Sequence, residues 1–315
     1  MNSGFESILA ADLEKFFREK KALGCEYRRT WFRLRSFDRY VAGRYRSRGA
    51  LDLKEAVRGW IQASGPRKWT AAAPDVSAVR QFCLFLRLKD PTVFVPDYAS
   101  FLPARKSSFA PYIFSTNEIG RLLRTAAEHP EPFIALRMKT IFMLLYCTGI
   151  RPGEAVRLRN ADLDLAGRRL FVEETKGRSR WVPFHGPLAT ELRAYIRKRD
   201  RTVPGKTEWV FVRKDGARLS EFSMSVMSRE MMRAAGLKPA RGRIGPRPYD
   251  LRHTFAVHRL VRWYRSGADL TACLPMLSTY MGHDSPVGTQ TYLRATPWLL
   301  RLASRRFHDR LRKRA

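Results

Sequence analysis

A chain of 315 residues has room for two domains, each with a core of its own, and a 44% hydrophobic content supports globular packing. Sixty Lys and Arg against 29 Asp and Glu leave a formal net charge of +31. Solubility alone needs a charge of about 2 to 8, so a surplus of this size points to a polyanionic partner, DNA or RNA first, and away from a merely solvated surface. Cys25, Cys83, Cys147 and Cys273 lie far apart without CxxC or Cys/His spacing, which argues against a zinc site and a disulfide framework. No charged-then-apolar leader opens the sequence and no run approaches the roughly 20 apolar residues of a membrane span, so a soluble, cytoplasmic protein is expected, with no membrane contact.

Residues 5–21 set Phe5, Ile8, Leu9, Leu13, Phe16 and Phe17 among charged residues, spacing that predicts an amphipathic helix ended by Gly24. The next segment, EYRRTWFRLRSFDRYVAGRYRSRG, carries Trp31, Leu34, Phe37 and Val41 on one helical face and arginines elsewhere. A core-facing stripe with a basic outer surface suits a helix lying along a phosphate backbone, with Arg28, Arg29, Arg33, Arg35 and Arg39 as candidate DNA contacts; a solvated arginine-rich helix without a ligand is the alternative. Two further helices are predicted over 51–63 and 74–88. Between 90 and 111, Pro91, Pro96, Pro103 and Pro111 recur among Ser and basic residues, where neither helix nor central strand persists. The division expected is a helical domain over 1–106, a linker over 107–115 and a second domain over 116–315 with a tail from about 296. Ser115 and Glu118 form a capping box that opens the second domain.

Residues 133–148 are almost all apolar and predict a buried helix closed by Gly149, with Arg151 on the turn before a helix that carries Glu154. Taken alone, Arg151 has a second explanation, as an arginine binding carbonyls at that helix end. The segment GRRLFVEETKGRSRWVPF alternates, which predicts two strands around a Lys176-Gly177 turn. By itself such a lysine is a solvated turn residue. Helices follow over 187–199 and 221–235. The last long segment, RGRIGPRPYDLRHTFAVHRLVRWYRSGADLTACLPMLSTYMGHDSPVGTQTYLR, contains Arg252, His283 and Tyr292, which can meet around one phosphate if the intervening helices fold back. His253, Phe255, Val257, Met276, Leu277 and Met281 are expected to pack, and His258 has no evident role. Two arginines, a lysine, a histidine and a hydroxyl nucleophile are the parts that metal-free phosphoryl transfer needs. Clustered carboxylates for a metal and a phosphate-cradling glycine loop are not evident, so no metal and no cofactor are expected.

In this order, TGIRPGEAVRL, TKGRSRWVP, DLRHTFA and YMGHDSPVGTQTYLR resemble the first arginine box, hairpin lysine, second arginine box and histidine-to-tyrosine segment of the tyrosine recombinase (phage integrase) family. The resemblance covers roughly residues 116–306. It implies a mainly α fold with a small β-hairpin or sheet, an N-terminal helical core-binding domain that clamps double-stranded DNA, and an α+β catalytic domain. It also implies site-specific recombination for integration, excision or transposition of a mobile element, by a homotetramer on synapsed DNA, alone or with sister recombinases, in the nucleoid. A type IB topoisomerase-like enzyme and a DNA-binding accessory protein that has lost catalysis are the alternatives. The apolar tail residues Trp298, Leu299, Leu300 and Leu302 disfavour the first, because in the recombinases this segment docks on a neighbouring protomer.

The roles follow from chemistry and resemblance together. Arg151 and Arg252 suit a clamp on the non-bridging phosphate oxygens, because a guanidinium forks two donors and stays charged. Lys176 is the candidate proton donor to the leaving oxygen, His283 a hydrogen-bond donor to the phosphate, and Glu154 an orienting partner for Arg151. Tyr292 is the nucleophile, giving by resemblance a 3′-phosphotyrosyl link. One position departs from the family pattern: Tyr249 stands where the second box usually has His. A phenol keeps its proton at neutral pH where an imidazole exchanges it, so Tyr249 is expected to position the phosphate and not to act as a general base.

Overall fold

The computed structural model describes residues 4–65, 69–102, 111–173, 179–242, 244–283 and 289. The chain divides into two units, Met1–Ser108 and Phe109–Ala315.

The first unit is helical: α1 (Ala10–Ala22), α2 (Arg28–Ala42), α3 (Leu53–Ala63), α4 (Trp69–Arg87) and the single turn α5 (Tyr98–Phe101). Leu34, Phe37 and Val41 of α2 are fully buried with Leu13 and Phe16 of α1, Val57 of α3 and Phe82 of α4, the helical stripe that their spacing demands. Asp38, also fully buried, accepts hydrogen bonds from the Glu6 and Ser7 amides at 2.7 and 3.2 Å, which ties the segment before α1 to α2. Two features differ from the sequence expectation. Helix α4 begins five residues before Pro74 and carries it inside, because Ala71, Ala72 and Ala73 are the strongest of helix formers. In the proline-rich stretch, Asp97 caps the Ser100 amide at 2.8 Å and starts α5; Leu102 then packs with Ala72, Ala73 and Val76.

The second unit comprises α6 (Thr116–Ala127), α7 (Pro132–Thr148), α8 (Pro152–Arg157), β1 (Leu163–Asp164), β2 (Arg169–Val172), β3 (Arg180–Pro183), α9 (Gly186–Thr202), α10 (Glu221–Ala234), α11 (Pro248–Arg265) and α12 (Leu270–Met281). The fold is mainly α with a three-stranded antiparallel sheet in the order β1-β2-β3. The Ser115–Glu118 capping box is formed reciprocally. Helix α7 is the hub, packed by α6, α9 and α11, and is apolar nearly all round because it faces protein on most sides. Its one fully enclosed cation, Arg137, donates to the Val212 carbonyl at 2.7 Å and lies 5.3 Å from the Phe133 ring centre. Strand β1 has two residues, too short for alternation to reveal it. Leu277 and Met281 of α12 are buried as expected, but Met276 is 59% exposed, on the opposite face of its helix from the core. Among the described residues no helix is long and apolar enough to cross a membrane.

Candidate active site

Two helix C-termini form the foundation of the site. Helix α7 ends at Gly149 with φ +63° and α12 ends at Gly282 with φ +66°, a left-handed conformation that costs about 1–2 kcal/mol for a residue with a Cβ. Space enforces glycine as well. A Cβ on Gly149 would strike the Phe255 ring, and one on Gly282 would lie 2.6 Å from Nη1 of Arg180.

The exposed carbonyls of these ends are taken by arginines. Arg252, fully buried in the first turns of α11, donates through Nη1 to the Gly149 carbonyl at 2.6 Å and through Nη2 to the Met281 carbonyl at 2.7 Å. Arg151, which opens α8, donates through Nη2 to the Gly282 carbonyl at 2.9 Å. Cations at helix C-termini are favoured by the aligned peptide dipoles, so the fold places two guanidiniums side by side without a strongly strained backbone at either. Carbonyl binding at the end of α7, one explanation of Arg151 from sequence, is the work of Arg252.

Glu154 holds Arg151 in register. Its carboxylate accepts the Arg151 amide at 2.7 Å and Arg151 Nη1 at 2.8 Å, and it pairs with Arg180 Nη2 at 3.1 Å. Burial alone would raise the pKa of Glu154, but the charges and hydrogen bonds of Arg180 and Arg151 outweigh it and hold the carboxyl below its ordinary range. Burial likewise opposes the charge of Arg151, and its pairing with Glu154 and then Tyr249 more than offsets that.

His283 follows Gly282 directly. Its amide donates to the Ser278 carbonyl at 3.0 Å and its Nδ1 lies 2.8 Å from the hydroxyl of the buried Thr289. Burial, then the charges of Arg252, Arg151 and Arg180, push its pKa down to about 4. His283 is therefore a neutral imidazole at pH 7. Tyr249, in the first turn of α11 and 38% exposed, helps to raise the pKa of Arg151 and packs its ring 5.0 Å from that of His253.

Residues 113–297 match the phage integrase family. The chain belongs to that family. It is a tyrosine recombinase, a DNA strand-exchanging enzyme. Among its relatives, the Sinorhizobium fredii (strain NBRC 101917 / NGR234) protein y4rB, provisionally named an integrase/recombinase, is 31% identical over 95% of this chain and 96% of its own. The tyrosine recombinase XerC of Staphylococcus haemolyticus (strain JCSC1435) is 28% identical over 78% of this chain and 77% of its own. In fold, the chain is similar to the Tn1549 transposon integrase solved with transposon right end DNA, at a TM-score of 0.67 and 14% identity over 94% of this chain and 98% of that one. A lambda integrase dimer bound to a core site gives a TM-score of 0.60 at 15% identity over 89% and 94%.

Of the residues that the recombinase motifs single out, Arg151, Arg252, Glu154, His283 and Tyr249 come together as described. Lys176, Tyr292 and the tail residues Trp298, Leu299, Leu300 and Leu302 lie outside the described residues. In the first unit Arg28, Arg29 and Arg39 are exposed on α2, whereas Arg33 pairs with Asp75 at 3.0 Å and Arg35 donates to the Gly4 carbonyl at 3.1 Å. Those two help hold their own domain together. Phe255 and Val257 are buried, and His258, without a role in the sequence, lies 3.1 Å through Nδ1 from the Tyr146 hydroxyl.

Sequence reasoning passed over Arg180. A signal was available: Arg180 pairs with Val172 across the sheet, two residues from buried Val182, so it occupies a core-facing register where a charge needs a partner. Beside Tyr249 a cavity of about 510 Å³ is lined in part by Pro152, Arg229, Lys238 and Arg247. Lys238 donates to the Ile244 and Pro246 carbonyls at 2.7 and 3.3 Å, which gathers the basic loop leading into α11.

Proposed function

We propose that this recombinase cleaves and rejoins duplex DNA at a specific site of a mobile element through a 3′-phosphotyrosyl intermediate. The observation that carries it is the convergence of Arg151 and Arg252 on the adjacent carbonyls of Gly282 and Met281, with His283 next in the chain. A guanidinium has five N–H groups, two on each terminal nitrogen, so Arg151, with one acceptor on each terminal nitrogen, keeps hydrogens to offer a phosphate. Arg151, with 23% of its side chain exposed, is the accessible member; Arg252 supplies charge from beneath, where low dielectric lengthens its reach.

In the proposed reaction the Tyr292 oxygen bonds to phosphorus as its proton passes to water, the bond from phosphorus to the 5′ oxygen breaks, and Lys176 protonates that oxygen. His283, neutral in this setting, donates its ring proton to a non-bridging oxygen as a hydrogen bond. Rejoining is the reverse, with a 5′ hydroxyl as the nucleophile, and the phosphotyrosyl ester retains the bond energy, so a nucleotide cofactor is unnecessary. The proposed assembly is four protomers on two synapsed duplexes, with or without a sister recombinase, coupled through the tail after Ala295. A duplex nicked near the cleaved phosphate tests the proposal, because loss of the short 5′ fragment prevents rejoining. A covalent protein–DNA species that survives SDS supports it. Its absence across candidate element ends would leave a DNA-binding accessory protein.

Duplex binding is expected to weaken steeply with salt. Neutralising six phosphates costs about three powers of ten in affinity between 50 and 200 mM salt by counterion release. A nearly flat titration would assign the +31 charge to another partner.

Tyr249→Phe is expected to slow single-turnover cleavage about tenfold, the ~1.4 kcal/mol of one hydrogen bond, because the hydroxyl that would position the phosphate is lost. Tyr249→His is expected to remain active. Complete loss of cleavage in the Phe variant would make the hydroxyl part of the proton transfer.

A further inference from the structure

Arg180 does more than balance a charge. Its guanidinium lies in the space that a side chain on Gly282 would fill, with Nε donating to the Tyr280 carbonyl at 2.8 Å and Nη2 paired with Glu154 at 3.1 Å. Its side chain is only 10% exposed. Arg180 thus joins three parts that are distant in sequence: strand β3, the carboxylate that orients Arg151, and the turn that leads into His283.

From this geometry we infer that Arg180 is a positioning residue for strand cleavage, setting the Arg151–Glu154 pair and the His283 turn in the arrangement that receives the scissile phosphate. The inference rests on the functional proposal above. Without Arg180 the carboxylate of Glu154 keeps one arginine partner and is able to swing with it, and the Tyr280 carbonyl loses its donor. Lysine restores the charge but cannot span both acceptors, since it has no planar fork. A residue that acts in this way tunes how well the arginines neutralise the phosphate and leaves duplex affinity, which arises from many phosphate contacts, nearly unchanged.

The test compares the unaltered chain with Arg180→Gln and Arg180→Lys in single-turnover cleavage of two nicked duplexes. One carries an ordinary phosphodiester and the other a methylphosphonate, in which a methyl group replaces a charged non-bridging oxygen. Arg180→Gln is expected to slow phosphodiester cleavage at least about thirtyfold and methylphosphonate cleavage less than about threefold, because the neutral substrate demands less of the clamp. Arg180→Lys should fall between, with duplex affinity within about twofold for both variants. Equal slowing on the two substrates, or no slowing, would overturn the inference. If the Gln variant does not fold, the Lys variant decides by the same ratio. If the unaltered chain cleaves only the phosphodiester, the split between affinity and rate decides, and affinity lost in step with rate overturns it. An unaltered chain that forms no adduct on either duplex would remove the functional proposal and this inference together.

Discussion

Tyr292→Phe is expected to bind duplex DNA with the affinity of the unaltered chain and to form no covalent adduct. Affinity arises from the sum of phosphate contacts across a strongly basic chain, and removal of one phenolic oxygen subtracts nothing from that sum. Chemistry is another matter: without that oxygen no atom of the side chain can bond to phosphorus, so the loss is complete and not graded. The measurement is a band shift in parallel with SDS gels of the nicked duplex. An SDS-resistant adduct from the Phe variant would transfer the nucleophile to another residue, and a loss of binding would show that Tyr292 serves the fold.

Legibility in the sequence followed the length over which a signal is spread. Helix α7 was plain because its residues are nearly all apolar and are followed by Gly149, and the hairpin because β2 and β3 alternate. The site could be nominated because side-chain chemistry recurs in a fixed order along the chain. Pairings were not legible. Nothing in the spacing shows that Arg252 takes the Gly149 carbonyl 103 positions away, or that Glu154 is shared with Arg180. An arginine code letter does not distinguish a surface cation such as Arg39 from Arg33, which spends its charge on Asp75. Only the register of a strand, as at Arg180, betrays a buried charge in advance. For the same reason the formal charge overstates the charge available to a ligand, since Arg137, Arg199 and Arg252 are buried on protein carbonyls.

Glu154→Ala is expected to destabilise the second unit by about 3–5 kcal/mol, the usual consequence of removing one partner from a buried ion pair. Glu154 is 3% exposed at the side chain, Arg180 10% and Arg151 23%, so the substitution leaves two poorly solvated guanidiniums facing each other and a bare amide at Arg151. Glu154→Gln should lose less, because it keeps an acceptor for that amide. The pH dependence separates charge from packing. Glu154 titrates below the usual carboxylate range when folded, so its contribution is fully present above the unfolded value of about 4.3 and is lost as pH falls through the lower, folded value. His283, depressed to about 4, also weakens the fold on acidification, but over the window from about 6.5 down to about 4. The unaltered chain and Glu154→Gln should therefore show parallel melting curves from pH 7 to 5 and converge only below the carboxylate range. Duplex DNA should restore part of the melting temperature of Glu154→Ala, because a phosphate supplies the negative charge that the two arginines have lost and a ligand that binds only the folded state stabilises it. A variant that melts with the unaltered chain, with and without DNA, would show that Glu154 does not hold these arginines together.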